Sequence, residues 1–260
     1  MEFRPCIDIH DGKVKQIVGG SLKEGTNKTS VTENFVSGQD AAFYAKLYKE
    51  REIRGGHVIL LNGAGTTLYE QTKKQALLAL SAYPGGLQVG GGITPENAME
   101  FLNAGASHVI VTSYVFRDGK IDTERLKRLC DRVGADKIVL DLSCKKKAAG
   151  YVVMTDRWQK ETEEIVNEAL LSFLSEYCDE FLIHAVDVEG RSQGIEKELV
   201  ALLGSWGKKP ITYAGGVHNF EDLQLLKELG CDKVNVTIGS ALDLFGGSMP
   251  FEMVVRLTQK

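Results

Sequence analysis

The sequence predicts an α/β fold, a single (β/α)8 TIM barrel over residues 1–260, and three observations carry that expectation. Apolar strand-like runs alternate with helical segments along the whole chain, which is the mark of a parallel sheet. The length of 260 residues is close to the roughly 250 that eight β/α units need. One β-α-β unit also returns about half a chain later, which implies internal duplication into half-barrels of about 1–133 and 134–260.

From the N-terminus, Pro5-Cys6-Ile7-Asp8-Ile9 reads as a buried strand and Gly12 to Val18 as its hairpin-like continuation. A buried carboxylate costs several kcal/mol unless it is paired, so Asp8 is a catalytic candidate or else a structural group tying down the Asp11-Gly12 turn. Residues 19–37 are polar and aperiodic, the pattern of a lid or a disordered loop. A helix is expected over 41–49, a strand over 57–61 and a second helix over about 70–82.

Next comes Gln88-Val-Gly-Gly-Gly-Ile93, a strand ending in glycines, and then a helix with Thr94 as cap, Pro95 at its first position and Gly105 as its stop. The strand Val109-Ile-Val-Thr-Ser113 follows. Glycine N–H groups and strand-end hydroxyls form a cup for an anion, because no side chain keeps the ligand from the backbone. The second copy is Tyr213-Ala-Gly-Gly-Val217, a leucine-bearing helix, and Val234-Asn-Val-Thr-Ile-Gly-Ser240. Two aligned cups imply two phosphates.

Between the copies, a helix near 122–133 leads to Lys137-Ile-Val-Leu-Asp-Leu142, an apolar run interrupted by Asp141 as the first strand is by Asp8. Duplication assigns these aspartates to the first and fifth of eight strands, on opposite walls, an arrangement suited to acid on one side and base on the other. Residues 143–158 make a detour with a lysine triplet at 145–147, read as a solvated turn, a β-like run at 151–154, and Trp158. The indole either stacks on a flat ligand or packs the loop. A helix over about 161–176 precedes Phe181-Leu-Ile-His184, where His184, a catalytic proton carrier or else a satisfied hydrogen-bonding residue, forms a polar cluster at the mouth with Asp187, Glu189 and Gly190. The run 190–194 is placed to assist the second phosphate. A helix to about 204, a strand from Pro210, the second cup and a short terminal helix complete eight units.

Composition bounds the function. The chain is 43% hydrophobic and 25% charged, with net charge −4 and no basic stripe, so neither nucleic acid nor membrane is an expected partner. Five scattered cysteines without C-x-x-C or adjacent histidines suggest a reducing compartment and no structural zinc. The apolar strand begins within five residues of Met1, so no signal peptide is expected, and cytoplasm is the assigned location.

Taken together and in this order, Cys6-Ile-Asp-Ile-His-Asp-Gly-Lys-Val, Val89-Gly-Gly-Gly-Ile, Val139-Leu-Asp-Leu and Ala214-Gly-Gly-Val resemble the histidine-biosynthesis barrels. That family contains ProFAR isomerases and the cyclase subunit of imidazole glycerol phosphate synthase. The chain looks closest to the eukaryotic isomerases through His184-Ala-Val-Asp-Val-Glu-Gly and Ser240-Ala-Leu-Asp-Leu-Phe-Gly-Gly. Gln16 stands where the cyclase pattern has a catalytic lysine, and Lys15 is on the other face of the strand. The resemblance implies an Amadori rearrangement of the aminoaldose ProFAR, with Asp8 as base and Asp141 as an acid kept protonated by burial and by the anionic substrate. It further implies one phosphate on Gly91, Gly92, Thr112 and Ser113, the other on Gly215, Gly216, Gly239 and Ser240, and Trp158 on the aminoimidazole. No metal or organic cofactor is implied, and a monomer is expected. The alternatives are the cyclase, which needs ammonia from a glutaminase partner, and a non-catalytic sugar-phosphate-binding barrel.

Overall fold

In the computed structural model, which describes residues 1–17, 33–191 and 193–259, eight strands pair in parallel and in chain order. They are Cys6–His10, Gly56–Leu60, Leu87–Gly90, Val109–Val111, Ile138–Asp141, Glu180–His184, Ile211–Ala214 and Val234–Thr237. The ring closes where Phe3 bridges Val236: Arg4 N–H donates to the Val236 carbonyl at 2.8 Å and Val236 N–H to the Glu2 carbonyl at 2.9 Å. Closure leaves the barrel without an edge. A helix follows each strand: Ala41–Glu50, Tyr69–Ala82, Ala98–Asn103, Thr123–Val133, Glu168–Leu174, Lys197–Trp206, Phe220–Leu229 and Phe251–Thr258. Asp40, Asp122, Asn167 and Asn219 each cap one by accepting a first-turn N–H. The fold is the expected (β/α)8 barrel.

The two-residue strand period explains the interior. Glu180, Leu182 and His184 alternate with outward residues on the sixth strand and so occupy three successive levels. At the lowest level Glu180 accepts from Gln88 Nε2 at 3.0 Å and Thr212 Oγ1 at 2.7 Å, with the Arg4 guanidinium 3.6 Å away. Those partners offset the desolvation of a buried carboxylate. The middle level is apolar, with Ile110, Val139, Leu182 and Ala214 packed together and Ile59 against them. The upper level carries Asp8, Asp141 and His184. A larger core, including Phe101, Leu126, Leu199 and Leu226, fills the space between strands and helices.

Four expectations are corrected. Of the loop predicted at 19–37, residues 19–32 lie outside the described residues, while Glu33–Val36 is a strand that extends the hairpin Lys13–Ile17 with Lys15 opposite Val36. The lysine triplet is not a turn but most of the strand Cys144–Lys147, which joins Gly150–Thr155 and Lys160–Ile165 in a three-stranded sheet. Its cations are engaged by Glu198, Glu161 and the Trp158 carbonyl. The helix expected from 161 begins at Glu168 instead. Lys and Glu favour helix intrinsically, but pairing with the neighbouring hairpin strand overrides that preference, and Thr162 Oγ1 turns inward to donate to the Val153 carbonyl at 2.9 Å. Finally, Ala98 opens its helix: the Asn97 side chain accepts the Thr94 N–H, and Thr94 contributes its carbonyl to Ala98 N–H rather than a side-chain cap.

Candidate active site

The C-terminal ends of the strands surround a cavity of about 360 Å³. Barrel strands point these ends toward the loops, so residues at strand termini converge there from all sides. Asp8, Asp141, His184 and Trp158 line it, as do Gly91, Gly92, Thr112 and Ser113 on one side and Gly215, Gly216, Gly239 and Ser240 on the other. Asp8 and Asp141 stand on the first and fifth strands, four positions apart around the ring.

Asp141 accepts from every side. His184 Nδ1 lies 3.2 Å from its Oδ1, Ser143 Oγ donates to the same oxygen at 2.9 Å, and Thr112 Oγ1 donates to Oδ2 at 3.3 Å. Burial works against a charged His184, yet the Asp141 carboxylate, helped by Glu189 and Asp8, outweighs it and raises the imidazole to about 9. The His184 imidazole is therefore protonated at neutral pH.

Asp8 has a different environment. Burial and the neighbouring Glu189 carboxylate push it up to about 7, against the opposing pull of His184 and a hydrogen bond from Cys6. A carboxyl that titrates near neutrality can both take and return a proton.

Glu189 is the residue that sequence reasoning left unused. It lines the cavity, and its Oε2 is buried with no hydrogen-bond partner among the described residues. Burial raises its carboxyl, with His184 partly offsetting the effect. An acidic residue directly before Gly190, five past a strand-end histidine, was the available signal. Asp187, two residues earlier, is structural, since it accepts the Lys146 N–H at 2.8 Å and ties down the three-stranded sheet. In the run 190–194, Ser192 lies outside the described residues, and Gly194 N–H donates to the Gly216 carbonyl at 3.1 Å, supporting the second cup from below.

The two cups use glycine differently. A Cβ on Gly91, at φ +103°, would lie 2.1 Å from the Leu60 carbonyl oxygen, and one on Gly216, at φ +78°, would lie 2.0 Å from that of Gly194. Gly92, at φ +69°, faces open space with nothing within 4 Å. Gly91→Ala and Gly216→Ala should therefore cost several kcal/mol through backbone overlap, whereas Gly92→Ala should cost only about 1 kcal/mol of left-handed strain. Thermal unfolding of the three variants checks the ranking.

Trp158 ends a run of three non-glycine residues with positive φ, Asp156 at 53°, Arg157 at 55° and itself at 66°. Asp156 N–H donates to Ser113 Oγ at 3.1 Å, fastening this tip to the first cup, and the indole centroid lies 6.1 Å from the His184 ring at a 47° tilt. Gln16 turns into the barrel, where its amide donates to Cys6 Sγ at 3.5 Å; Lys15 turns the other way and pairs with Glu33 at 2.6 Å. No lysine projects into the cavity from this strand.

Residues 2–249 match the family model described as histidine biosynthesis protein. A chloroplastic protein of Medicago truncatula named 1-(5-phosphoribosyl)-5-((5-phosphoribosylamino)methylideneamino) imidazole-4-carboxamide isomerase is 52% identical over 257 residues, covering 98% of this chain and 81% of its own. Proteins of the same enzyme name from Neurospora crassa, at 48% identity over 94% of this chain and 93% of their sequence, and Saccharomyces cerevisiae, at 44% over 100% and 98%, are also similar. With a barrel of the expected topology and a match along nearly its whole length, the chain belongs to the histidine biosynthesis protein family.

Proposed function

We propose that this protein, whose relatives are named as isomerases, is an aldose-ketose isomerase acting on the bisphosphorylated aminoaldose ProFAR, and that Asp8 and the Asp141–His184 pair carry out the proton transfers. The observation that supports it best is the division of labour between the two walls: a carboxyl near pKa 7 on one and an ion-paired imidazolium near 9 on the other. The substrate's two phosphates serve as handles in the two cups. In the half-barrel reading, each half supplies one cup and one aspartate, and the two walls share an origin.

Four proton transfers balance the reaction. The acid on the fifth-strand wall, Asp141 drawing on the His184 proton, protonates the ribose ring oxygen, and the C–O bond breaks to leave an iminium at C1. That cation acidifies the adjacent C2–H, which Asp8 removes to give an enolamine. Asp8 then returns its proton to C1, while the acid recovers one from the 2-hydroxyl as the ketone forms. No redox partner is required. Trp158 closes over the imidazole, and binding energy from the remote phosphates helps drive ring opening. A loss of phosphate contact in Gly92→Ala should then raise KM with kcat less affected.

Both cups and both aspartates come from one chain, so a monomer suffices as the working unit. The five free thiols suit a reducing compartment. Cytoplasm remains our assignment, although the Medicago relative is named chloroplastic. No helix among the described residues is long and apolar enough to cross a membrane.

Purified chain incubated alone with ProFAR should convert it to the aminoketose. Failure to do so, followed by consumption of the aminoketose when ammonia is added, would move the chain to the cyclase; binding without any turnover would make it a sensor. The pH profile of kcat/KM should be a bell, rising through about 7 as Asp8 ionises and falling through about 9 as His184 loses its proton. Removing the charge in Glu189→Gln should move the lower limb to more acidic pH, because Glu189 is the neighbour that raises Asp8.

A further inference from the structure

At Asp8 and just below it, three groups of different chemistry converge. Cys6 and Asp8 share the inward face of the first strand, and His57 lies directly opposite Cys6 on the second. Their ligand atoms all fall within 4.8 Å of one another, and all three residues line the cavity. A tetrahedral zinc ion needs its ligand atoms about 3.5 Å apart, so small side-chain rotations complete the geometry. Sequence spacing conceals the set, because strand pairing joins residues about fifty positions apart.

We propose that Cys6, Asp8 and His57 form an inhibitory site for a thiophilic divalent cation of the zinc class at the floor of the active-site cavity. This goes beyond the isomerase reading, which needs no metal. The donor set of one thiolate, one imidazole and one carboxylate is soft enough to prefer zinc over magnesium or calcium. Charge also matches: a Cys6 thiolate and the Asp8 carboxylate together neutralise the cation's two charges, with His57 as a neutral ligand. Glu189, whose buried Oε2 has no hydrogen-bond partner among the described residues, adds a negative field that draws a cation inward.

Binding breaks the Cys6 S–H bond and forms a metal–sulfur bond, and the proton leaves through the cavity to solvent. Coordination occupies Asp8 at the oxygen that would accept the substrate's C2 proton. Inhibition follows directly, and a chelator should reverse it.

The test titrates the full chain, stripped with EDTA and freed of it, with cobalt(II) under anaerobic conditions. A single equivalent should develop thiolate-to-cobalt charge-transfer absorption in the near ultraviolet and strong four-coordinate visible bands, both bleached by zinc. Zinc at the same stoichiometry should abolish ProFAR turnover, and EDTA should restore it. Cys6→Ser should remove the charge-transfer band, and His57→Gln should weaken cobalt binding by at least about tenfold. Cys130→Ser and Cys231→Ser, at the two thiols that are not fully buried, should leave the spectrum unchanged. The proposal is overturned if no charge-transfer band appears, if it survives Cys6→Ser, or, should that variant not fold, if His57→Gln binds cobalt normally. Cobalt bound at Cys6 while zinc leaves turnover untouched overturns the inhibitory role. A cobalt spectrum in a chain that never isomerises ProFAR leaves the site standing and counts only against the isomerase.

Discussion

Replacing Asp8 by Asn should lower kcat by about 10³-fold or more while making the protein more stable. The loss follows from removing the group proposed to accept the C2 proton; general-base contributions are typically about 10²–10⁴-fold, and Asp8 is the carboxyl on that wall that titrates near 7. The gain in stability comes from the same burial that tunes the group. Asp8 rises from 3.8 when exposed to about 7 in the fold, so between these values the unfolded chain gives up its proton first and stability falls as pH increases. Above pH 7 the full cost applies, on the order of 4 kcal/mol. At pH 8 Asp8→Asn should therefore melt several degrees higher than the parent chain, and at pH 4 the difference should vanish. Paired activity and calorimetry measurements at the two pH values check this. A variant that loses activity without the pH-dependent stabilisation would assign Asp8 a more polar environment than this cavity floor.

Asp141→Asn should also reduce turnover, by about 10²–10⁴-fold, through a different physical route. The amide oxygen can still accept from one of the Ser143 and Thr112 hydroxyls while its NH2 donates to the other, so local structure should persist, but the charge that holds the proton on His184 is gone. Burial then prevails, and the imidazole should fall from about 9 toward its ordinary value of 6.5 or lower. Titration of the His184 ring by NMR reads this directly. The sign for stability is opposite to that of Asp8: the paired imidazolium contributes most below its unfolded value of 6.5 and loses that contribution as pH rises through about 9. Asp141→Asn should thus be destabilising at pH 6 and nearly neutral above pH 9.

Much of this was legible in the sequence because it depends on periodicity and local backbone chemistry. Two glycine-ended strands with following helices are recognisable without knowing their neighbours, and so are Asp8 and Asp141, each a charge interrupting an apolar run. Segments decided by distant partners were not legible. Lys160–Ile165 has helix-forming side chains and becomes a strand only because Gly150–Thr155 lies alongside. Glu189 was legible as part of the polar cluster at the mouth with His184, but its electrostatic action on Asp8 appears only when the barrel closes. The convergence of the Ser143 and Thr112 hydroxyls on Asp141 was likewise not legible, since it depends on how neighbouring strands pair. Meeting of Cys6 with His57 requires the first two barrel strands in register, which no spacing rule in one dimension contains.

The seam between Phe3 and Val236 has a consequence for how the molecule is made. The last barrel strand seals against residues more than two hundred positions earlier in the chain, and the Met1 amino group is held by the Asp232 carboxylate at 2.6 Å. More than two hundred residues must therefore be synthesised before the ring can close. Until then the first strand has an open edge and Asp8 faces solvent on one side. The carboxyl should titrate there as an ordinary aspartate, so its raised pKa is not intrinsic to the first strand but follows from burial in the closed ring and from Glu189.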